Sequence, residues 1–169
     1  ASAELAALRL AHAIVFGWGG IPVIWAGDEL ATPNVPHWAR EPGHESDNRW
    51  AHRPRWDEAR AARRARPATV AGRAFEDLVA LAQTRRRLPY LHASVPAEVD
   101  TPYDPGVLSV VRRHPIGTML QLYNLTPDWR FYPGSRLAAL GLDGAVDALT
   151  GHLVSPGPDG RIWLPPYAA

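Results

Sequence analysis

The run GIPVIWAGDEL, Gly20 to Leu30, decides how the rest of the chain is read, together with SDNRWAHRPR, Ser46 to Arg55, one loop later. Gly19-Gly20 breaks what precedes it, Pro22 suits only the start of a strand, and Ile21, Val23, Ile24 and Trp25 make the short apolar run of a strand covered on both faces. The sequence therefore predicts a buried strand over Gly20–Ala26 that ends in two carboxylates, Asp28 and Glu29, and feeds a long polar loop. A strand tip followed by a long loop is where parallel α/β proteins build binding sites.

Working outward, Ala3–Phe16 has helical apolar spacing (Leu5, Leu8, Ala11, Val15) and Gly17 to stop it. Residues 31–67 carry five Pro, three His and three Trp without periodicity. A loop of that length inside a domain is uncommon unless it has a function. Ala68–Leu88 is again amphipathic, with Phe75, Leu78, Val79 and Ala82 on one face, Arg85, Arg86 and Arg87 in the last turn beside the helix dipole, and Pro89 as terminator. After Pro89 the texture changes. Val107–Arg113 and Thr118–Leu125 flank His114-Pro115-Ile116-Gly117 as a β-hairpin, and 146–149, 153–154 and 161–164 are further strand candidates. An antiparallel β-module is expected from about residue 91 to the end. A lone α-β-α piece cannot complete a parallel sheet, so the neighbours of the Gly20–Ala26 strand are expected upstream, and the chain reads as the tail of something longer.

Composition removes several function classes. The 169 residues are 46% hydrophobic, enough for a core, and the net charge of +1 argues against a general polyanion binder although all eighteen basic residues are Arg. Without cysteine there is neither disulfide nor thiolate chemistry. Leu10–Gly27 lacks Asp, Glu, Lys and Arg, but Gly17, Gly19, Gly20 and Pro22 interrupt it and Glu4 and Asp28 flank it, so a helix followed by a strand explains it better than a membrane span. His37, His44 and His52 match no common metal-site spacing, and no metal or cofactor is expected. Arg60, Arg63, Arg64 and Arg66 come without a recognition motif and read as a solvated face, with no nucleic-acid partner.

GIPVIWAGDEL, SDNRWAHRPRWDEA and ATVAGRAFEDLVALAQTRRRLPYLHA resemble the C-terminal part of glycoside hydrolase family 13, the α-amylase family, and within it the amylosucrase branch, to which the Arg-Trp-x-His-Arg-Pro run points. The resemblance implies an α/β fold. Residues 1–90 would be the end of a (β/α)8 TIM barrel, its last helix, strand and helix with the long loop after the eighth strand, and residues 91–169 an antiparallel β-sandwich domain. It implies an enzyme that splits sucrose and passes glucose to an α-glucan through a glucosyl-enzyme intermediate, or to water in a sucrose hydrolase of the same branch. Its partners would be sucrose, the glucan and the upstream barrel of the same protein.

Retaining enzymes of this kind need two carboxyl groups about 5–5.5 Å apart across the scissile bond. Asp28 and Glu29 are adjacent on a strand end, so their side chains point to opposite faces, and Asp57-Glu58 and Glu76-Asp77 fail in the same way. By resemblance the reactive acids lie on earlier strands, so no catalytic carboxylate is expected in this chain. What the resemblance places here is a wall of the sugar pocket: Arg49, whose planar fork suits a carboxylate and sugar hydroxyls, with Asp47 and Asn48 beside it. Pairing of Arg49 with Asp47 or Glu45 inside its own loop is the alternative. Asp28, Glu29, Trp50, His52 and Arg53 are read as loop-structuring residues. A different class of protein, a carbohydrate-binding β-module, is suggested by Tyr103, Trp129, Tyr132 and Trp163 in the β-rich tail.

Overall fold

The computed structural model describes residues 2–169. It is a small α/β structure in which every strand pairing among the described residues is antiparallel, in two sheets. The chain divides into two compact units, Ala1–Val23 with Val79–Ala169, and Ile24–Leu78.

In the first unit, α1 (Ala3–Gly17) starts at Ser2, whose hydroxyl accepts the Leu5 amide, and buries Leu5, Leu10, His12, Ala13 and Phe16. The β-rich part holds β1 (Glu98–Val99), β2 (Val107–His114) and β3 (Gly117–Asn124) in the order β1-β2-β3. The β2–β3 hairpin is in register from Val107↔Asn124 to His114↔Gly117, which leaves Pro115-Ile116 as a two-residue turn with Gly117 at φ 146°. A second ladder joins β4 (Arg130–Pro133) to β5 (Arg161–Leu164), and a short helix, α4 (Gly134–Ala139), follows β4 directly.

The alternation along β4 and β5 sorts their faces. Tyr132 and Leu164 are buried, whereas Phe131 and Trp163 pair across the strands with ring centroids 5.6 Å apart and the Arg161 guanidinium 4.2 Å from the Phe131 centroid. Asn124, fully buried at the end of β3, ties these pieces together: its amide donates to the carbonyls of Asp128, Leu164 and Pro165, and its oxygen accepts the amide and hydroxyl of Thr126.

The second unit is built on four short 3-10 turns, a one-turn helix and the first part of a long one. Leu30, Ala61 and Ala71 form its buried apolar cluster, drawn from the start of the loop, from α2 (Glu58–Ala61) and from α3 (Val70–Arg86). The division between the units falls within α3. The helix begins at Thr69, whose hydroxyl accepts the Gly72 amide and donates to the Arg66 carbonyl. A Cβ on Gly72 would stand 2.0 Å from the Arg66 carbonyl oxygen, so only glycine lets this backbone approach so closely.

Both long helices and the hairpin lie close to their expected bounds. Two expectations are corrected. The run Gly20–Ala26 forms no strand: Gly20 lies in a bend at φ 67°, Ala26 opens a turn, no strand pairing reaches the run, and its apolar side chains are exposed, Ile21 at 90% and Val23 at 74%. The physical reason is that a strand needs a neighbour to take its N–H and C=O groups, and no strand among the described residues pairs with it. Nothing among the described residues is therefore a parallel barrel strand. The strands expected over 146–149 and 153–154 shrink to a single bridge, Val146↔Leu153, between turns that Gly144 and Gly151 make at positive φ. The long loop over residues 31–67 is ordered by one-turn helices, at Trp38–Arg40, Asn48–His52, Glu58–Ala61 and Ala62–Ala65. No helix among the described residues is long and apolar enough to cross a membrane.

Candidate functional site

The candidate residues lie in the second unit, on the segment that opens with Asp28 and closes at α2. Gly27 at φ 104° and Ala31 at φ 51° bracket a single 3-10 turn, Asp28–Leu30. Glu29 folds back so that its Oε2 accepts the Gly27 amide at 2.7 Å. Leu30, 2% exposed, is the anchor of this turn in the apolar cluster. Arg60 of α2 then holds it, its Nη1 donating to the carbonyls of Leu30 (3.0 Å) and Ala31 (3.1 Å). Arg64 likewise donates to the Ala61 carbonyl. The expectation of a purely solvated arginine face is corrected for Arg60, while Arg64 stays exposed: a short loop turn leaves carbonyls without partners, and a guanidinium can serve two at once.

Further along, the loop is laced by side chains. The Val35 amide donates to the Ala51 carbonyl at 2.8 Å, and His52 Nδ1 lies 3.3 Å from Asn34 Oδ1. The His44 ring stacks on Trp50 with centroids 3.8 Å apart and planes 6° from parallel, while the Arg53 guanidinium sits 5.4 Å from the Trp50 centroid. Glu41 carries Arg55 at 3.1 Å and faces His44 at 3.8 Å. Trp50 and His52 thus belong to the same turn as Arg49, Asn48–His52, and Arg53 follows it directly.

Asp47 caps that turn. Its Oδ1 accepts the Arg49 amide (3.0 Å) and Nε (2.8 Å), and its Oδ2 accepts Arg49 Nη2 (2.8 Å). The side-chain bond from Arg49, followed by the backbone bond, lowers the Asp47 carboxyl to a pKa of about 2, and the same side-chain bond raises that of Arg49. The Arg49 side chain is 71% exposed, and Asn48, between the two, is exposed as well. Asp47, Asn48 and Arg49 are brought together; Asp28 and Glu29 lie in the separate Asp28–Leu30 turn. The arrangement is a preformed guanidinium whose remaining donors face outward, able to accept an oxygen-rich ligand without losing the loop geometry Asp47 maintains.

Arg60, which closes this segment, escaped the sequence reading. So did Arg85 and Arg112 in the first unit, where Arg85 donates to the carbonyls of Phe16, Gly20 and Leu91 in addition to its place near the α3 dipole. The only available signal was position: Arg112 shares a strand face with Val110, the least exposed apolar residue of β2.

Set beside known proteins, residues 98–169 match the family described as "Amylosucrase, C-terminal domain", in agreement with the resemblance read from the sequence. Among solved structures, AmyP in complex with maltose superposes with a TM-score of 0.74 at 14% identity, over 99% of this chain and 34% of that one. The trehalulose synthase MutB, in a mutant complex with its substrate sucrose, gives 0.63 at 15% identity over 96% and 37%. The cyclic α-maltosyl-(1→6)-maltose hydrolase from Arthrobacter globiformis gives 0.59 at 15% identity over 97% and 29%. At these identities the likeness is one of fold. The chain spans about a third of the length of the solved structures it matches.

Proposed function

We propose, from a chain whose residues 98–169 match the amylosucrase C-terminal domain family, that it is the C-terminal portion of an amylosucrase-like member of glycoside hydrolase family 13, an enzyme that cleaves sucrose and transfers glucose to an α-glucan. The observation that carries this reading is the combination of that match with superposition of nearly the whole chain on AmyP. On this reading residues 1–90 end a (β/α)8 barrel and 91–169 form its appended β-sandwich. The exposed apolar run Ile21–Trp25 supports the assignment, because a strand whose ladder partners belong to earlier barrel segments has this composition and no partner of its own.

The chemistry divides accordingly. Nucleophile and acid/base belong to earlier strands, and the mechanism is the retaining double displacement, with fructose leaving as a glucosyl-enzyme ester forms. This chain contributes Arg49, held by Asp47 and flanked by Asn48, as a wall of the glucose subsite. A charged donor fixed in advance by its own carboxylate binds hydroxyls with little loss of side-chain entropy. Asp28, Glu29, Trp50, His52 and Arg53 order the loop that presents it. Incubating the complete protein with sucrose tests the reading: fructose release with glucan elongation is expected, and no fructose release overturns it. The 169-residue chain alone is expected to be inert, and sucrose turnover by it would overturn the placement of the reactive acids. A fructose-to-glucose ratio near one would identify the hydrolase alternative.

A second reading, a carbohydrate-binding β-module, draws on the exposed rings of Tyr103, Trp129 and Trp163. Tyr132 no longer contributes to it, being buried and directed toward Asp100 at 3.3 Å. Retention of this chain in glucan-containing native gels would favour that reading.

A further inference from the structure

The last carbonyls of a helix have no partners within it and carry roughly half a negative charge. At the end of α1 the Trp18 amide still donates to Ile14 at 2.9 Å, so the carbonyls left over are those of Val15, Phe16, Gly17 and Trp18. Three of these are taken by side chains distant in sequence. Arg112 of β2 donates through Nη2 to Gly17 (3.2 Å) and to Trp18, Gln121 of β3 donates to Gly17 (2.9 Å), and Arg85 of α3 donates to Phe16. Arg85 also reaches the Gly20 carbonyl just beyond.

Arg112 is the unusual member. It is 1% exposed, and its hydrogen-bond acceptors are all uncharged: Gln121 Oε1 (3.1 Å), the Val95 carbonyl (2.9 Å) and the two carbonyls of α1. Burial pulls its pKa down from the usual guanidinium value, Tyr123 works against that, and the nearby Arg85 charge adds to the lowering. A buried cation costs several kcal/mol in real proteins, and a well-packed apolar residue of similar volume is often neutral or better for stability. The negative end of α1 supplies what a carboxylate supplies elsewhere. Stability alone does not explain such a residue; geometry does. The guanidinium lies against Gly19, where a Cβ would meet Nη2 at 3.1 Å and Nη1 at 3.2 Å. Gly19 and Gly20 stand at φ 94° and 67°, so the exit from α1 is made of two residues with the greatest conformational freedom, held from outside.

We propose that Arg112 is a positioning residue: with Gln121 and Arg85 it clamps the end of α1, fixes the Trp18–Gly20 turn, and thereby sets the direction in which Ile21–Val23 leave the helix. The clamp lies wholly within the first unit and does not rest on the function proposed above.

Backbone ¹⁵N relaxation on this 169-residue chain tests it. Gly19 and Gly20 are expected to have order parameters near the rigid value of about 0.85 in the parent and below about 0.6 in Arg112→Met, while α1 and hairpin resonances and the melting temperature stay close to those of the parent. Arg112→Lys, which keeps the charge but loses the fork, should loosen the same two glycines. Rigid glycines in a folded Arg112→Met chain, or mobile ones in the parent, would overturn the proposal. Should Arg112→Met not fold, the parent decides: separate, slowly exchanging Arg112 Nη protons support the clamp, and one averaged signal rejects it. Sucrose turnover by the complete protein reports independently, since a rigid turn without sucrose chemistry removes the sugar reading and leaves the clamp standing.

Discussion

Asp47 holds the Arg49 guanidinium with both oxygens while the arginine stands largely in solvent. An exposed pair contributes little to stability, so its value is orientation. Because the folded Asp47 pKa is lowered to about 2, its contribution is fully present above the unfolded carboxylate value of about 3.9 and fades as pH falls through the folded one. Carboxyl ¹³C shifts should show Asp47 titrating near pH 2 in the parent and at clearly higher pH in Arg49→Ala, which keeps only the backbone N–H and the Arg53 charge; an unchanged midpoint in the variant would mean that the fork does not persist in solution. In the complete protein Arg49→Ala should lower kcat/KM for sucrose about 10- to 100-fold, the worth of one to two charge-assisted hydrogen bonds.

At the scale of elements, α1 meets β3 at Gly17, where a Cβ would lie 2.1 Å from Tyr123 Oη and 2.5 Å from Gln121 Nε2. Glycine to alanine in a helix ordinarily gains up to about 1 kcal/mol. Here Gly17→Ala should lose about 1–3 kcal/mol by overpacking, and adding Tyr123→Phe should return part of it, as a double-mutant cycle in denaturant would read. Equal or greater stability of the single variant would mean that the helix end does not touch the hairpin. In the second unit Leu30→Ala should cost about 2–5 kcal/mol, since Leu30 anchors the small apolar cluster beneath the loop; a near-neutral effect by thermal melting would contradict that packing. The helices and the hairpin were legible because local patterns determine them: the 3.6-residue stripes of α1 and α3, and the His-Pro-Ile-Gly turn. The strands β1 and β4 were not, because each is short and exists through pairing with distant residues, as Phe131 with Trp163, and the six-residue α4 is too short for a helical period to show. The polar clamp at α1 and the Arg60 anchor were hidden for the same reason, since arginine on a surface helix and arginine on a carbonyl look alike in sequence. The Asp47–Arg49–Trp50 cluster was visible because its residues are consecutive, though nothing in their order revealed the stacking of His44.

Across the whole molecule, one run explains why the sequence promises a strand that the chain does not complete. Ile21, Val23, Ile24 and Trp25 expose apolar surface on backbone that joins no sheet, as a strand composition does when it lacks neighbours to pair with. On the reading proposed here those neighbours, and the reactive acids with them, belong to the rest of a sucrose-splitting enzyme. The most direct measurement is therefore sucrose consumption by the complete protein, with fructose, glucose and glucan quantified, alongside its Arg49→Ala variant. The account predicts fructose in excess of free glucose, growing glucan, and both suppressed in the variant. Absence of fructose release from the parent, or full activity after loss of Arg49, would contradict it.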